Sequence, residues 1–295
     1  MIIVIMGPTA SGKSRLALET AQKVNGEIIS FDSMQIYRGL EIGTAQPTPE
    51  ERQSVPHHLV GIYDISQRID VYTFTDLAEK AVADVISRGK TPILAGGTGM
   101  YLRSFLYGMD DMPGDRSVRA ELDALYDAPE KEEALHAKMA ELDPDALEKW
   151  RDCRRRLIRA LEVKIVSGKS ILELQQNAPR KLRYDVRAFK LELPPEELNQ
   201  KIALRTDAML KAGWIDEAEQ AIAAGLLETP TAHQALGYKI IASYLKGELS
   251  FEELKEKIII ATRQYARRQR TWFRHQHPEA QALTSSQGSF ELTFR

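Results

Sequence analysis

Eight residues near the N-terminus, Gly7-Pro8-Thr9-Ala10-Ser11-Gly12-Lys13-Ser14, fit the pattern GxxxxGK[ST] at every fixed position. The backbone N–H groups of such a loop, with the start of the helix that follows, converge on one small volume and favour phosphate oxygens. Lys13 then reaches the terminal phosphates and Ser14 a Mg²⁺ ion. Many proteins with this loop also carry an acid at the end of a buried strand, where it helps hold the metal. Here the run TPILAGG, 91–97, ends in Gly96-Gly97, is followed by Thr98 and has no acid. The acid lies elsewhere, as Asp32 in SFDSMQIYRG, at the end of an earlier apolar run. On position alone Asp32 reads equally as a turn or N-cap aspartate or as a functional acid near the acceptor. The arrangement favours a transferase with its acceptor near Asp32 over an ATPase motor.

These residues need a scaffold to meet. Residues 2–6 read as a buried strand and 13–24 as a helix, which gives the loop its strand–loop–helix context. A second strand is expected over 27–33, an amphipathic helix over 74–90 and a third strand over 91–97. Alternating strands and helices predict a parallel, doubly wound α/β sheet with ligands at the strand C-terminal ends. From about 110 to 185 the pattern is helical throughout, and VRAFKLELP, 186–194, returns to the sheet. The expected organisation is a P-loop NTPase-like core, 1–110 and 186–295, with a helical insertion domain, 111–185. Helices resume after 195 and end in a long one from about 250, where Ser250 and Glu253 form a capping box. The tail from 279 has no clear pattern.

Composition narrows the class. The 295 residues are 43% hydrophobic and 28% charged, ordinary for a globular protein. A single cysteine, Cys153, excludes a disulfide framework or a multi-cysteine zinc site and suits a reducing compartment. No histidine pair is spaced to hold a metal on one helical turn. The N-terminal IIVIM is too short for a signal peptide, and no stretch approaches the roughly 18 apolar residues that span a bilayer. A cytoplasmic protein with no membrane partner is expected.

Net charge is −2, so any polyanion partner must be met by local clusters. In the long C-terminal helix Leu254, Ile258, Ala261, Tyr265 and Trp272 follow the spacing of one buried face. Arg263, Arg267, Arg270 and Arg274 fall opposite, with no acid between Lys257 and Glu279. A second cluster, RDCRRRLIR, covers 151–159. Each alone is compatible with a solvated face. Two of them in a slightly acidic chain favour RNA backbone as the partner.

The combination is more specific than its parts. GPTASGKS, SFDSMQIYRGLEIGTAQP, PHHLVGIYD, LAGGTGMY, RRLIRALEV, RTDAMLKAGWIDE, ALGYK and ATRQYARRQRTWFR resemble, in the same order, the motifs of the tRNA dimethylallyltransferases, also called isopentenyl-tRNA transferases. The resemblance runs from residue 2 to about 274. It implies transfer of the five-carbon group of dimethylallyl diphosphate to N6 of the adenosine 3′ of the anticodon. Residues 7–14 would then cradle a prenyl diphosphate, with Mg²⁺ at Ser14. Asp32 would take the amine proton, Thr98 would lie beside the breaking bond, and Arg205 would add charge near the phosphates. The flipped base would meet Asp32, Ser33, Met34, Gln35 and Thr98. Arg119, Arg155, Arg156, Leu157, Ile158 and Arg159 would contact the anticodon stem-loop, as would Gln234, Ala235, Leu236, Gly237, Tyr238 and Lys239.

The chain departs from the family pattern in places. Many relatives have NDxxR where this sequence has RDCRR, 151–155, and Lys where Gln46 stands. One cysteine cannot build the zinc finger of some eukaryotic members. Two other readings of the P-loop remain open from the residues, a small-molecule or nucleotide kinase and a non-catalytic RNA-binding module. No self-complementary stripe is evident, and a monomer is expected.

Overall fold

The computed structural model describes residues 1–108, 112–177, 181–277, 279–285, 290 and 292. The chain divides into two compact units, Met1–Leu106 with Leu182–Arg295, and Tyr107–Lys181. Along the first stretch run β1 (Ile2–Met6), α1 (Lys13–Val24), β2 (Gly26–Ser30), α2 (Pro49–Ser54), β3 (His57–His58), α3 (Val71–Ser87), β4 (Thr91–Gly96) and α4 (Gly99–Tyr107). The second unit contains α5 (Arg116–Tyr126), α6 (Glu132–Leu142), α7 (Pro144–Trp150), α8 (Arg154–Ser167) and α9 (Ile171–Asn177). The chain returns with β5 (Val186–Glu192), α10 (Pro195–Lys211), α11 (Trp214–Ala223), α12 (Tyr238–Leu245), α13 (Phe251–Gln276) and β6 (Gln281–Thr284).

The six strands form one sheet in the order β3-β2-β4-β1-β5-β6, and every pairing is parallel. β1 and β2 are buried at every position, the mark of strands covered on both faces. Ile3, Ile5, Ile28, Ile93 and Phe189 from the sheet pack with Leu16 and Ala17 of α1, Ile202 of α10 and Ala266 of α13. Because β1, β2 and β4 are parallel and adjacent, their C-terminal ends open at one edge. That edge receives residues 7–14, 31–35 and 97–98. β6 extends the sheet beyond β5 from the part of the tail whose sequence carries no strand signal.

One charge is buried in this sheet. Glu27 on β2 is 2% exposed and accepts from both arms of the Arg88 guanidinium and from His58 at 2.7 Å. The Arg88 hydrogen bonds hold its carboxyl at about 2. A depressed carboxylate stabilises the fold fully above its ordinary value near 4.5, and that stabilisation is lost as pH falls toward 2.

The helical unit has its own core, with Leu122 of α5, Leu135 and Met139 of α6, Leu147 of α7 and Leu157, Ile158 and Leu161 of α8. Asp115 caps α5 by accepting from the Ser117 and Val118 amides. Among the described residues no helix is long and apolar enough to cross a membrane.

Candidate active site

The loop 7–14 leaves β1 and turns directly into α1. Gly12 has φ +94°, a region open to glycine and strained for other residues. The Ser11 amide donates to the Pro8 carbonyl at 3.2 Å and folds the loop on itself. No side chain caps α1, so its first amides are left for an anion. The Ser11 hydroxyl is fully buried here without a hydrogen-bond partner among the described residues.

Two cations belong to this cradle. Desolvation pushes the Lys13 ammonium down to about 8; Asp32 pulls it up and Arg205 lowers it further. Arg205, on α10, donates to the Thr9 hydroxyl at 2.6 Å. Burial lowers the pKa of its guanidinium, opposed by the charge of Asp32. Partly desolvated cations carry a cost that a neighbouring negative charge such as Asp32 offsets.

The ends of β2 and β4 form the opposite side. Asp32 Oδ1 accepts from the Met34 amide at 3.0 Å, a local turn bond that fixes the carboxylate. Thr98 Oγ1 accepts from the Ser33 amide at 3.0 Å, and its hydroxyl donates to Ser33 Oγ at 3.3 Å. The Thr98 amide donates to the Phe31 carbonyl at 3.1 Å. Hydrogen bonds therefore tie the turn of Asp32 and Ser33 to Thr98.

A cavity of about 440 Å³ lies between Thr9 and Arg205 and the turn after β2, with Lys13, Ser14 and Thr98 outside its lining. Thr9, Asp32, Ser33, Met34 and Arg205 line it, with Gly43, Thr44, Ala45, Met209, Trp214, Gln234 and Leu236. From α13, Tyr265 and Arg268 also face it. Gln35 does not. Its side-chain amide donates to the Thr44 and Ala45 carbonyls at 3.1 and 2.8 Å and accepts from Ser30 Oγ at 2.8 Å. Gln35 thus braces the wall that Met34 and Ser33 face.

The stretch 234–239 divides similarly. Gln234 and Leu236 line the cavity and Lys239 is exposed, whereas Ala235, Gly237 and Tyr238 are buried. Tyr238 Oη donates to Glu217 at 2.7 Å, and the same carboxylate accepts from the Ile42 and Gly43 amides at 2.7 and 2.8 Å. A Cβ on Gly43 would collide with Trp214 and Tyr238. Most of ALGYK therefore works by packing.

In the helical unit Arg155 and Arg156 are exposed, while Leu157 and Ile158 are fully buried in the core. Their side chains are committed to packing because α8 must cover its own unit. Arg159 pairs with Glu162 at 2.7 Å and donates to the Met112 carbonyl at 3.1 Å. Arg119 donates to Asp123 at 2.8 Å and lies 3.6 Å from Glu162.

On α13 the buried face differs from the expected one. Leu254 and Ile258 are buried, but it continues through Thr262, Ala266, Gln269 and Phe273. Ala261, Tyr265 and Trp272 are half-buried beside it, and Tyr265 looks into the cavity. Burial, with Asp32 next, raises the Tyr265 phenol. Gln269 accepts from the Thr9 amide at 2.7 Å and donates to the Gly97 carbonyl at 2.9 Å. Apolar spacing could not reveal Gln269, Thr262 or Glu217, since polar residues on a buried face break the pattern it reads. Among the described residues, no three His, Cys, Asp or Glu side chains are grouped to hold a metal.

A parallel α/β sheet with the loop 7–14 at its edge and a separate helical unit is a P-loop NTPase-like architecture. A family model for IPP transferases matches residues 35–276. The tRNA dimethylallyltransferase of an Exiguobacterium strain is 40% identical over 297 residues, covering 100% of this chain and 93% of its own. The full-length tRNA isopentenylpyrophosphate transferase of Bacillus halodurans superposes with a TM-score of 0.71 at 36% identity, covering 96% of this chain and 89% of that one. A eukaryotic dimethylallyltransferase described as acting on tRNA gives a TM-score of 0.80 at 30% identity, with 96% and 73% covered. The chain belongs to the IPP transferase family.

Proposed function

We propose that this protein transfers the dimethylallyl group of dimethylallyl diphosphate to N6 of the adenosine 3′-adjacent to the anticodon of tRNA, releasing diphosphate. The observation that carries the reading is the cavity in which Thr9 and Arg205 of the anion cradle meet the Asp32 carboxylate. The allylic C–O bond breaks as an N–C bond forms. Charge then builds on the leaving diphosphate, where Lys13, Arg205 and the loop amides stabilise it. The adenine amine is a weak nucleophile because its lone pair is delocalised into the ring. Asp32 accepts its proton, a step that contributes roughly 10²–10⁴-fold in such reactions. Thr98, locked to Ser33, orients the groups between base and cradle.

The donor set fits a Mg²⁺ carried mainly by the diphosphate. Ser14 is exposed at the loop's end and no carboxylate cage surrounds it among the described residues, as expected for an ion that keeps its waters and substrate oxygens. Ser14 would hold the ion, which would supply further charge to the leaving group. Arg155, Arg156 and the exposed arginines of α13 supply positive charge for the RNA backbone, and the protein works as a monomer in the cytoplasm, where tRNA is found.

Incubation with dimethylallyl diphosphate, Mg²⁺ and an anticodon stem-loop carrying adenosines 3′ of the anticodon should add one C₅H₈ unit to the RNA by mass. ATP in place of the prenyl donor should add nothing. Asp32→Ala should keep RNA affinity within a few-fold while turnover falls at least about 100-fold. Normal turnover in that variant removes Asp32 from the mechanism.

A further inference from the structure

We infer that Gln269 is a positioning residue that holds the diphosphate cradle in register with the β4 end carrying Thr98. This rests on the proposed transferase reading and adds to it a residue outside the P-loop, Asp32, Thr98 and Arg205. Gln269 is 5% exposed and sits on α13, remote in sequence from both segments it joins. Its carbonyl oxygen accepts from the Thr9 amide at 2.7 Å and its amide donates to the Gly97 carbonyl at 2.9 Å. Gly97 permits this approach, since a Cβ there would collide with the Gln269 amide.

The bonds continue on both sides. Thr9 also receives Arg205 through its hydroxyl, and Gly97 is followed by Thr98, bound in turn to Ser33 beside Asp32. Gln269 is therefore the bridge in a hydrogen-bonded path from the leaving-group side to the base side. Both of its polar ends are engaged by the protein and it does not line the cavity, so it acts through Thr9 and Gly97. A transfer with nucleophile and leaving group on opposite sides of one carbon is sensitive to their separation. Displacements near 1 Å can cost about 100-fold. Glutamine alone among residues of this length presents one acceptor and one donor. Glutamate keeps the acceptor for Thr9, loses the donor for Gly97 and adds a negative charge beside the cradle. Methionine keeps the length and loses both bonds.

The test compares Gln269→Met and Gln269→Glu with the wild type in three measurements. These are dimethylallyl diphosphate affinity by calorimetry, the single-turnover rate with donor and stem-loop RNA saturating, and thermal melting. Gln269→Met should bind the donor about 3- to 10-fold more weakly and lose about 30- to 100-fold in single-turnover rate at a temperature where it is fully folded. Gln269→Glu should lose more donor affinity than Gln269→Met, because its charge opposes diphosphate. A lowered melting temperature with affinity and rate both within two-fold of wild type overturns the inference and leaves Gln269 a packing residue. Should the wild type transfer no prenyl group, the functional reading falls. The binding arm then decides Gln269 alone, and unchanged donor affinity in Gln269→Met overturns it.

Discussion

The protein holds its positive charge in two ways. Lys13 and Arg205 are half-buried cations, and desolvation lowers the pKa of both. The arginines of α13 and of the helical unit lie toward solvent or on carboxylates. Arg263, Arg267 and Arg274 are exposed, Arg270 is half-buried, and among the described residues none has a carboxylate partner within ion-pair distance. In the helical unit Arg159 and Arg119 are spent on Glu162 and Asp123, and Arg154 lies 3.5 Å from Glu132. Only Arg155 and Arg156 of the 155–159 stretch extend into solvent. Basic side chains thus stand in three settings: half-buried beside the loop 7–14, exposed without a carboxylate partner, and paired with a buried acid. Neighbouring carboxylates decide which.

The contrast is tested most severely at the cradle. Lys13→Ala should weaken diphosphate binding by roughly 10- to 100-fold, since it removes a charged hydrogen-bond donor, and leave RNA affinity unchanged. Equal losses for diphosphate and RNA would mean the loop holds RNA phosphate. Next comes the free surface charge. Arg263, Arg267 and Arg274 changed together to Gln should lower stem-loop affinity and flatten its salt dependence by roughly 0.7–0.9 in log–log slope for each RNA phosphate no longer neutralised. An unchanged slope makes α13 a solvated face. Changing Arg155 and Arg156 to Gln removes two charges and should flatten the slope by less. Arg159→Gln should alter the salt slope least. Its cost appears as a lower melting temperature of the helical unit, because Glu162 stays buried after losing its closest partner.

Much of the sheet is legible because its signals are local. The loop 7–14 dictates β1 before it and α1 after it, and both stand where the sequence puts them. The second strand stops at Ser30, so Asp32 lies beyond it in a turn, where its carboxylate is fixed by the Met34 amide. Asp32, Thr98 and Arg205 come from three distant segments, and family resemblance, with no local pattern, is what groups them. Gln269, Tyr265 and Glu217 escape because each takes its meaning from a partner far along the chain. Hydrophobic periodicity places Tyr265 in the core and passes over Gln269, although the buried face runs through Gln269 and leaves Tyr265 at the cavity. Leu157 and Ile158 show the converse. They sit inside a basic motif that reads as one surface, yet a helix turns its sides to different neighbours at every residue. β6 escapes because an edge strand of four residues has too little sequence to announce itself.

Desolvation lowers the Lys13 ammonium to about 8, close to physiological pH. Under the proposed function a diphosphate in the loop restores charge to that amine, so binding near pH 8 should draw protons from the buffer. Affinity for the diphosphate should therefore fall as pH rises through 8. The heat of binding should scale with the ionisation enthalpy of the buffer. Exchanging Tris for phosphate at the same pH would register the uptake as a difference in calories with no change in the ligand.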